Sequence, residues 1–360
     1  MKRILTLVLV LTFSVHAYSQ SKKDQALEKA LTAIAMMDSG YITESIDLLN
    51  EAIKLDPDRY DYPYEVAYAY YLMKDYNKSI EVLEKLSKHK DVTDQLYQLL
   101  GNSYDIIGDP DKAFDAYDRG LKKFPKSGIL FLEKGNVYWG QKKYAEALPF
   151  YEDGIAADPM FSSNYYRAAR IYCATDNPFF GIMYGEIFLN LEPSTERSQE
   201  ISALLFDTYK SNIHVTSDTS ASIEFCSNNL VLDKESMKRM SEGILPFCMT
   251  AETTMLIYVG FSKEITLESV CKLRSSFIDA WYQMGNDKKY NIELFKFQKD
   301  LADKGYYDAY NHWLFMNGDG AAFDEWYKTH QDEFTNFANY ANQHRLQLND
   351  KTKFLVADFR

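Results

Sequence analysis

The stretch Asp94–Ser127, DQLYQLLGNSYDIIGDPDKAFDAYDRGLKKFPKS, decides the fold of the first half of this chain. Tyr97 and Tyr104 stand seven residues apart, which places them on one face of an α-helix. Gly108, with a proline two residues later, breaks that helix and begins a second one. Pro125 ends the second helix, because a proline disfavours the α conformation of the residue before it. The stretch therefore predicts a helix–turn–helix hairpin.

Small residues stand where the two predicted helices would meet. Gly101 lies on the first helix, and Ala113 and Gly120 lie on the second. We expect these residues to let the two backbones approach closely, while the neighbouring tyrosines, Tyr97 and Tyr117, fill the space beside them.

The same pattern returns along the chain with a period of 34 residues. Prolines that end the second helix of a pair fall on one lattice of this period, at Pro57, Pro125, Pro159 and Pro193. Five copies of the unit fit between about residues 26 and 195. A repeat of this length indicates a solenoid, in which each helix pair packs only on its neighbours.

This pattern resembles the tetratricopeptide repeat (TPR) family, whose unit is a helix pair of this length with small residues at its eighth, twentieth and twenty-seventh positions. In the central unit these positions hold Gly101, Ala113 and Gly120. The resemblance implies a mainly α fold, with a right-handed superhelical solenoid of about five repeats plus a capping helix over residues 21–212. Glu196–Tyr209 is the predicted capping helix, because an open solenoid end exposes apolar surface.

Residues 213–360 are predicted to form a second, mostly helical domain with a small β insert. Ala221, Ile223 and Phe225 alternate with polar residues, and a turn is predicted at residues 228–229. Thr253–Phe261 is a second β-favouring run. From Leu267 onwards apolar residues recur at helical spacing. This region also resembles a C-terminal region found beside such repeats in exported bacterial proteins, and that resemblance carries no activity.

The first 20 residues are predicted to be a cleavable signal peptide. Lys2 and Arg3 precede an apolar run, Ile4–Phe13, and small residues follow up to Ala17. Ten apolar residues are too few to span a bilayer. No cysteine follows the run, so a bacterial lipid anchor is not expected. The sequence predicts a periplasmic or secreted protein without a transmembrane segment.

Four cysteines follow the predicted signal peptide: Cys173, Cys226, Cys248 and Cys271. An oxidising compartment permits a disulfide, most simply between Cys226 and Cys248, which flank the predicted β insert. We favour the alternative, in which all four are small buried hydrophobic residues, since a helical solenoid of this size does not need cross-links.

The composition and the absence of known motifs argue against several classes of partner and of catalytic site. The net charge of −12 argues against nucleic acid or anionic lipid as the main partner. The sequence contains no HExxH zinc motif, no G-x-S-x-G nucleophile motif and no complete phosphate-binding loop. The histidines after the signal peptide are interpreted as surface or capping residues. We therefore expect no cofactor, no metal and no catalytic activity.

The candidate site follows from the TPR resemblance. In that family the first helix of each pair lines a concave face used for peptide recognition. Amide side chains there offer a donor and an acceptor to a peptide backbone, Tyr and Trp offer contact area, and Arg can bind a carboxylate. The predicted groove residues are Tyr64, Tyr68, Tyr71, Gln98, Asn102, Asp105, Asn136, Trp139, Tyr166, Arg167 and Arg170.

The leading functional hypothesis is a non-enzymatic scaffold of the cell envelope that binds an extended peptide or a partner protein on this face. One alternative is a glycan-binding protein, because Tyr and Trp also stack on sugar rings. A third hypothesis places an enzyme site in the C-terminal region.

Overall fold

The computed structural model describes residues 21–217, 220–227, 245–259 and 264–359. The predicted signal peptide and the turn predicted at residues 228–229 lie outside these ranges. The fold divides into two compact units, with unit 1 ending at Val137 and unit 2 beginning at Tyr138. The division between residues 212 and 213 that the sequence favours remains a prediction.

The described part of unit 1 is built from consecutive helices, each packed on the next. In chain order they are α1 (residues 21–38), α2 (Ile42–Leu55), α3 (Asp61–Leu72), α4 (Tyr76–Leu86), α5 (Asp94–Ile106), α6 (Pro110–Lys123) and α7 (Gly128–Gly140), the last of which continues into unit 2. Helices α5 and α6 are the hairpin that the central stretch predicts.

The turn between α5 and α6 has the chemistry that its sequence predicts. Gly108 has φ +83°, in the left-handed region where glycine has no steric penalty. The Asp109 side chain accepts a hydrogen bond from the Lys112 backbone N–H at 3.2 Å and so caps α6, whose first residue is Pro110. Helix α6 ends at Lys123, two residues before Pro125.

Close approach of α5 and α6 confirms the role predicted for the small residues. A Cβ atom on Gly101 would lie 2.1 Å from Cε1 of Tyr117, and one on Gly120 would lie 2.7 Å from Cβ of Tyr97. Tyr117 is only 1% exposed, and Ala113 is fully buried. Each tyrosine therefore fills the space that the glycine of the facing helix leaves open.

Unit 2 continues the helix pairs and then changes pattern. Its elements are α8 (Tyr144–Ala157), α9 (Ser162–Tyr172), α10 (Pro178–Leu191), α11 (Glu196–Asn212), β1 (Ile213–Ser217), β2 (Ser220–Ile223), α12 (Phe247–Leu256), α13 (Leu267–Gln283), α14 (Glu293–Asp303), α15 (Tyr307–Phe315), α16 (Gly320–Thr329) and α17 (Gln331–Gln343), with short 3-10 turns at Asn286–Lys288 and Val356–Asp358. The predicted fold class, mainly α with a small β insert, is confirmed.

The β insert is smaller than the sequence predicts. Strands β1 and β2 form an antiparallel pair in which Ile213 faces Ile223. The second predicted strand is wrong where the structure describes it, because Thr253–Leu256 belongs to α12. Phe247, Ala251 and Met255 are buried at helical spacing on that helix. A short apolar run cannot by itself distinguish a strand from a buried helix.

The helix predicted after the fifth repeat forms as α11, and further helices pack on it. Thr195 and Ser198 form a capping box at its start. A Cβ on Gly185 of α10 would lie 2.7 Å from Cδ2 of Leu205, so glycine allows α10 and α11 to pack closely. Helix α15 contacts α11 as well, so the C-terminal region continues the helical packing at this end.

A buried ion pair joins α10 to the C-terminal helices. Glu186 is 1% exposed, and its Oε1 lies 2.7 Å from Nη2 of Arg274 on α13. The same oxygen accepts hydrogen bonds from Gln298 on α14 at 2.6 Å and from the Tyr310 hydroxyl on α15 at 2.7 Å. Removing one partner of such a pair typically costs about 3–5 kcal/mol of stability, because the other charge stays buried.

The favoured interpretation of the cysteines is wrong for one pair. Cys226 and Cys248 form a disulfide, whereas Cys173 and Cys271 are free. The Glu252 carboxylate on α12 accepts hydrogen bonds from the backbone N–H groups of residues 225 and 226 at 2.9 and 2.8 Å. This irregular segment is thus held against α12 by contacts that residue spacing does not reveal.

The prediction that every histidine lies at the surface or at a cap is wrong for His312. This residue is 1% exposed and stacks on Trp326 with ring centroids 4.0 Å apart. Burial opposes its charged form, but the Asp308 side chain and backbone carbonyl, both near Nδ1, outweigh burial and raise the pKa of His312. No helix in the described ranges is long and apolar enough to cross a membrane.

The packing of α5 on α6 makes a direct prediction. Replacing Gly101 with Ala should lower the free energy of unfolding by about 2 kcal/mol, because the added methyl group overpacks the contact with Tyr117. Gly140→Ala is the matched control. No atom lies within 4 Å of a Cβ there, so helix propensity should leave stability unchanged or raise it by up to ~1 kcal/mol. Urea unfolding followed by circular dichroism measures both, and equal stabilities would contradict the packing model.

Candidate binding surface

The tyrosines predicted on α3 have different surroundings. Tyr64 and Tyr71 are partly buried against the core of unit 1, and burial raises the pKa of both. Tyr64 also stacks on Tyr60, with ring centroids 5.9 Å apart. Tyr68 is 39% exposed. Tyr68 is therefore the tyrosine of this set with the most surface to offer a ligand.

Two predicted amides of unit 1 converge on a carboxylate that the sequence analysis missed. Gln98 Nε2 donates to Glu133 Oε1 at 2.8 Å, and Asn136 Nδ2 donates to Glu133 Oε2 at 2.9 Å. Glu133 follows Gln98 by 35 residues, one more than the repeat period, and this offset was the available signal. Both amides are thus oriented by an acidic group.

Asn102 and Asp105 both belong to α5, and Asp105 lies near the same acidic group. Asn102 Oδ1 accepts a hydrogen bond from the Tyr117 hydroxyl at 2.6 Å, and its amide nitrogen donates to no residue that the structure describes. Burial, and then the negative charge of Glu133, raise the pKa of Asp105. The described surface of unit 1 therefore combines an available amide donor with two neighbouring carboxylates.

Unit 2 brings four predicted residues together, with the indole ring of Trp139 at their centre. The guanidinium carbon of Arg167 lies 4.5 Å from the centroid of Trp139, and that of Arg170 lies 4.9 Å from it. Tyr166 is the second ring of the cluster, 5.7 Å from Arg167 and 5.3 Å from Arg170. Cations over aromatic rings at these distances are attracted by about 0.5–2 kcal/mol each.

Tyr166 and Arg170 are already tied to an acidic partner. The Tyr166 hydroxyl donates to Glu200 Oε2 at 2.6 Å and accepts from Arg170 Nη1 at 3.0 Å. Arg170 Nε lies 3.1 Å from Glu200 Oε1. Burial and the hydrogen bond to Glu200 raise the pKa of Tyr166, which is only 7% exposed. Tyr166 and Arg170 therefore hold the cluster in place, and they offer little free surface or charge to a ligand.

Arg167 differs from Arg170 in having no acidic partner among the described residues. Its guanidinium is stacked on Trp139 and Tyr166, and no carboxylate of the described residues forms an ion pair with it. A stacked guanidinium is held in place while its N–H groups remain able to bind a planar anion. Chemically, this cluster can bind a carboxylate.

Comparison with known proteins agrees with the repeat pattern. A family model described as tetratricopeptide repeat matches residues 99–159, which include most of α5, all of α6 to α8 and the close contact of Gly101 with Tyr117. This part of the chain therefore consists of tetratricopeptide repeats. Proteins of this family serve as interaction scaffolds, and this is the class of function that the fold and the family indicate.

Individual relatives match only part of this chain. A TPR repeat-containing protein of Methanocaldococcus jannaschii is 32% identical over 97 residues, which are 27% of this chain. The chain spans about 30% of the length of that relative.

Among solved structures, the similar proteins include YrrB, described as a TPR protein with an unusual peptide-binding site. It is 16% identical, with 51% of this chain and 94% of YrrB covered and a TM-score of 0.34. Another is PilF of Pseudomonas aeruginosa, which is 13% identical, with coverages of 53% and 86% and a TM-score of 0.43.

The structure is also relevant to the two alternative functions, glycan binding and catalysis. Two guanidinium groups lie over Trp139 and occupy ring surface that stacking on a sugar would need. In the residues described, no group of three or more His, Cys, Asp or Glu side chains is arranged to hold a metal ion. No observation in the site favours glycan binding or catalysis over protein binding.

Proposed function

We propose that this TPR protein is a non-enzymatic scaffold that binds an extended peptide segment of a partner protein, with an acidic residue of that segment on Arg167. The main support for this proposal is the Arg167 guanidinium. It is stacked on two aromatic rings and pairs with no carboxylate in the part of the chain that the structure describes. Trp139 and Tyr166 form the platform, and Arg170 orients it through Glu200.

A carboxylate is the expected ligand group for two reasons. A guanidinium binds it with two parallel charge-assisted hydrogen bonds, which gives direction as well as energy. The aromatic platform holds Arg167 in place, so less side-chain entropy is lost on binding. The chain itself carries a net charge of −12, which repels an acidic segment at long range. Attraction of such a segment must therefore come from short-range contacts with Arg167.

Unit 1 supports peptide binding with complementary chemistry. The Asn102 amide can donate to a peptide carbonyl, and Tyr68 offers exposed aromatic area. Glu133 and Asp105 supply negative charge that suits a basic residue or a backbone N–H. Unit 1 therefore suits a basic residue of a peptide segment, whereas the arginine–tryptophan cluster of unit 2 suits an acidic one.

The test is selection from a displayed library of random ten-residue peptides, followed by fluorescence polarisation with the selected peptides. We expect enrichment in Asp and Glu, and Arg167→Gln should weaken binding about tenfold, the effect of losing one charge-assisted interaction of ~1.4 kcal/mol. Trp139→Ala should have a similar effect, because Arg167 loses its platform.

The matched control is Arg59→Gln. Arg59 is an exposed arginine paired with Asp61 in unit 1, and its loss should change affinity less than twofold. Circular dichroism checks that each variant keeps its helices. Selected peptides that bind Arg167→Gln and Trp139→Ala as tightly as the unaltered chain would refute this site.

We also propose that the protein works in the periplasm or outside the cell. Support comes from the predicted signal peptide and from the Cys226–Cys248 disulfide, because such bonds persist in oxidising compartments. Alkylation of protein freshly isolated from its native cells, under denaturing conditions, should modify two cysteines before reduction, Cys173 and Cys271, and four after it. Four reactive thiols before reduction would contradict this location.

A further inference from the structure

An aromatic pocket lies in the C-terminal part of unit 2, apart from the arginine–tryptophan cluster. It is a cavity of about 220 Å³ between the end of α10 and helices α14, α15 and α17. Its apolar lining includes Tyr310, Trp313, Phe334 and Phe337, and Arg345 lies at its polar side. A concave, mostly apolar pocket with a few polar groups is the usual form of a ligand site.

The aromatic wall is held by contacts among its own rings. Tyr310 meets Phe337 edge to face, with centroids 5.9 Å apart at 76°, and Trp313 lies 5.5 Å from Tyr310. Phe334 meets Phe337 edge to face at 6.0 Å. Rings packed in this way stabilise one another, so they do not need a ligand to define the wall.

The floor of the pocket is tied to the buried ion pair. The Tyr310 hydroxyl donates to Glu186 Oε1 at 2.7 Å and accepts from Asn190 Nδ2 at 2.8 Å. Burial and the charge of Glu186 raise the pKa of Tyr310, so its hydroxyl stays protonated and keeps both bonds. The pocket is therefore pre-formed, which lowers the entropic cost of binding.

The volume of the pocket indicates the size of its ligand. An apolar protein cavity of about 150 Å³ can hold a benzene molecule. A volume of about 220 Å³ accommodates one aromatic ring with a short substituent. Ala338 and Ala341 line the side formed by α17, and their small side chains leave the space open.

The positive charge of Arg345 at the pocket indicates that the substituent on the ligand's ring is negatively charged. Arg345 is exposed, and its hydrogen bond to Asn342 Oδ1 is long, at 3.5 Å. Across the described ranges, no carboxylate forms an ion pair with Arg345. An arginine beside an aromatic pocket is thus available to a ligand carboxylate.

We propose that this pocket binds a single aromatic ring that carries a carboxylate. The ring enters among Tyr310, Trp313, Phe334 and Phe337, and the carboxylate meets Arg345. This is the chemistry of a phenylalanine or tyrosine at the C-terminus of a polypeptide, and equally of a free aryl acid. The site is separate from the proposed peptide surface and does not depend on it.

Calorimetric titration of the full chain tests the proposal with defined probes. We expect 3-phenylpropionate to bind at least tenfold more tightly than phenethylamine, which has the same ring and the opposite charge. Arg345→Gln should remove this preference, and Arg59→Gln, an exposed arginine of unit 1, should leave it intact. Quenching of Trp313 fluorescence should follow the same titration curve.

Variants that fill the cavity with a larger side chain show whether the probe binds in the pocket or elsewhere on the protein. Ala338→Leu and Ala341→Leu each place a larger side chain in the space and should weaken binding of 3-phenylpropionate at least tenfold. Two variants are used so that a folding defect in one does not decide the result. Melting curves and helical circular dichroism show which variants are folded.

Peptides distinguish the two sources of the ligand. A peptide ending in a free Phe carboxylate that binds more tightly than 3-phenylpropionate, and loses that affinity when amidated, supports a polypeptide C-terminus. Binding of the free acid alone supports a small molecule. Equal affinity for phenethylamine, unchanged affinity in both filled variants, or no binding of any probe at millimolar concentration would overturn the proposal.

Discussion

The fold of unit 1 depends on the contact between a tyrosine of one helix and a glycine of its neighbour. The Tyr117 ring occupies the position that a Cβ on Gly101 would need, and Tyr97 does the same opposite Gly120. These contacts let α5 and α6 pack with their backbones close together. A solenoid has no contacts between distant repeats, so each local contact of this kind sets how the next helix pair is placed. The surface presented to a ligand follows from the same placement.

The sequence predicted the repeat helices well because their pattern is local and recurs. Gly108 and Pro110 place the turn between α5 and α6, and their effect does not depend on the rest of the chain. The C-terminal region was harder, because its elements are fixed by distant partners. The Glu186–Arg274 pair joins residues 88 positions apart, and neither residue has a local signature. The Cys226–Cys248 disulfide, which the sequence analysis named but did not favour, and the helix at residues 253–256 have the same origin.

The candidate site shows the same limit at the level of single side chains. Trp139, Arg167 and Arg170 were among the groove residues predicted from the sequence, and the structure brings them together. The sequence could not show that Glu200 pairs with Arg170, whereas Arg167 pairs with no acidic residue that the structure describes. Nor did it show that Glu133 orients the amides of unit 1. Spacing predicts which residues share a face, whereas ion pairing decides which of them remain available to a ligand.

The four tryptophans of the chain allow the central claim to be tested directly. Trp139 belongs to the proposed peptide surface, Trp313 lines the aromatic pocket, and Trp281 is fully buried. In a ¹⁵N-labelled protein, the indole N–H signals can be assigned by replacing each tryptophan in turn. An acidic peptide chosen by selection should shift the Trp139 signal at low peptide concentration and leave the Trp281 and Trp313 signals in place. A peptide that binds without moving the Trp139 signal would contradict the account.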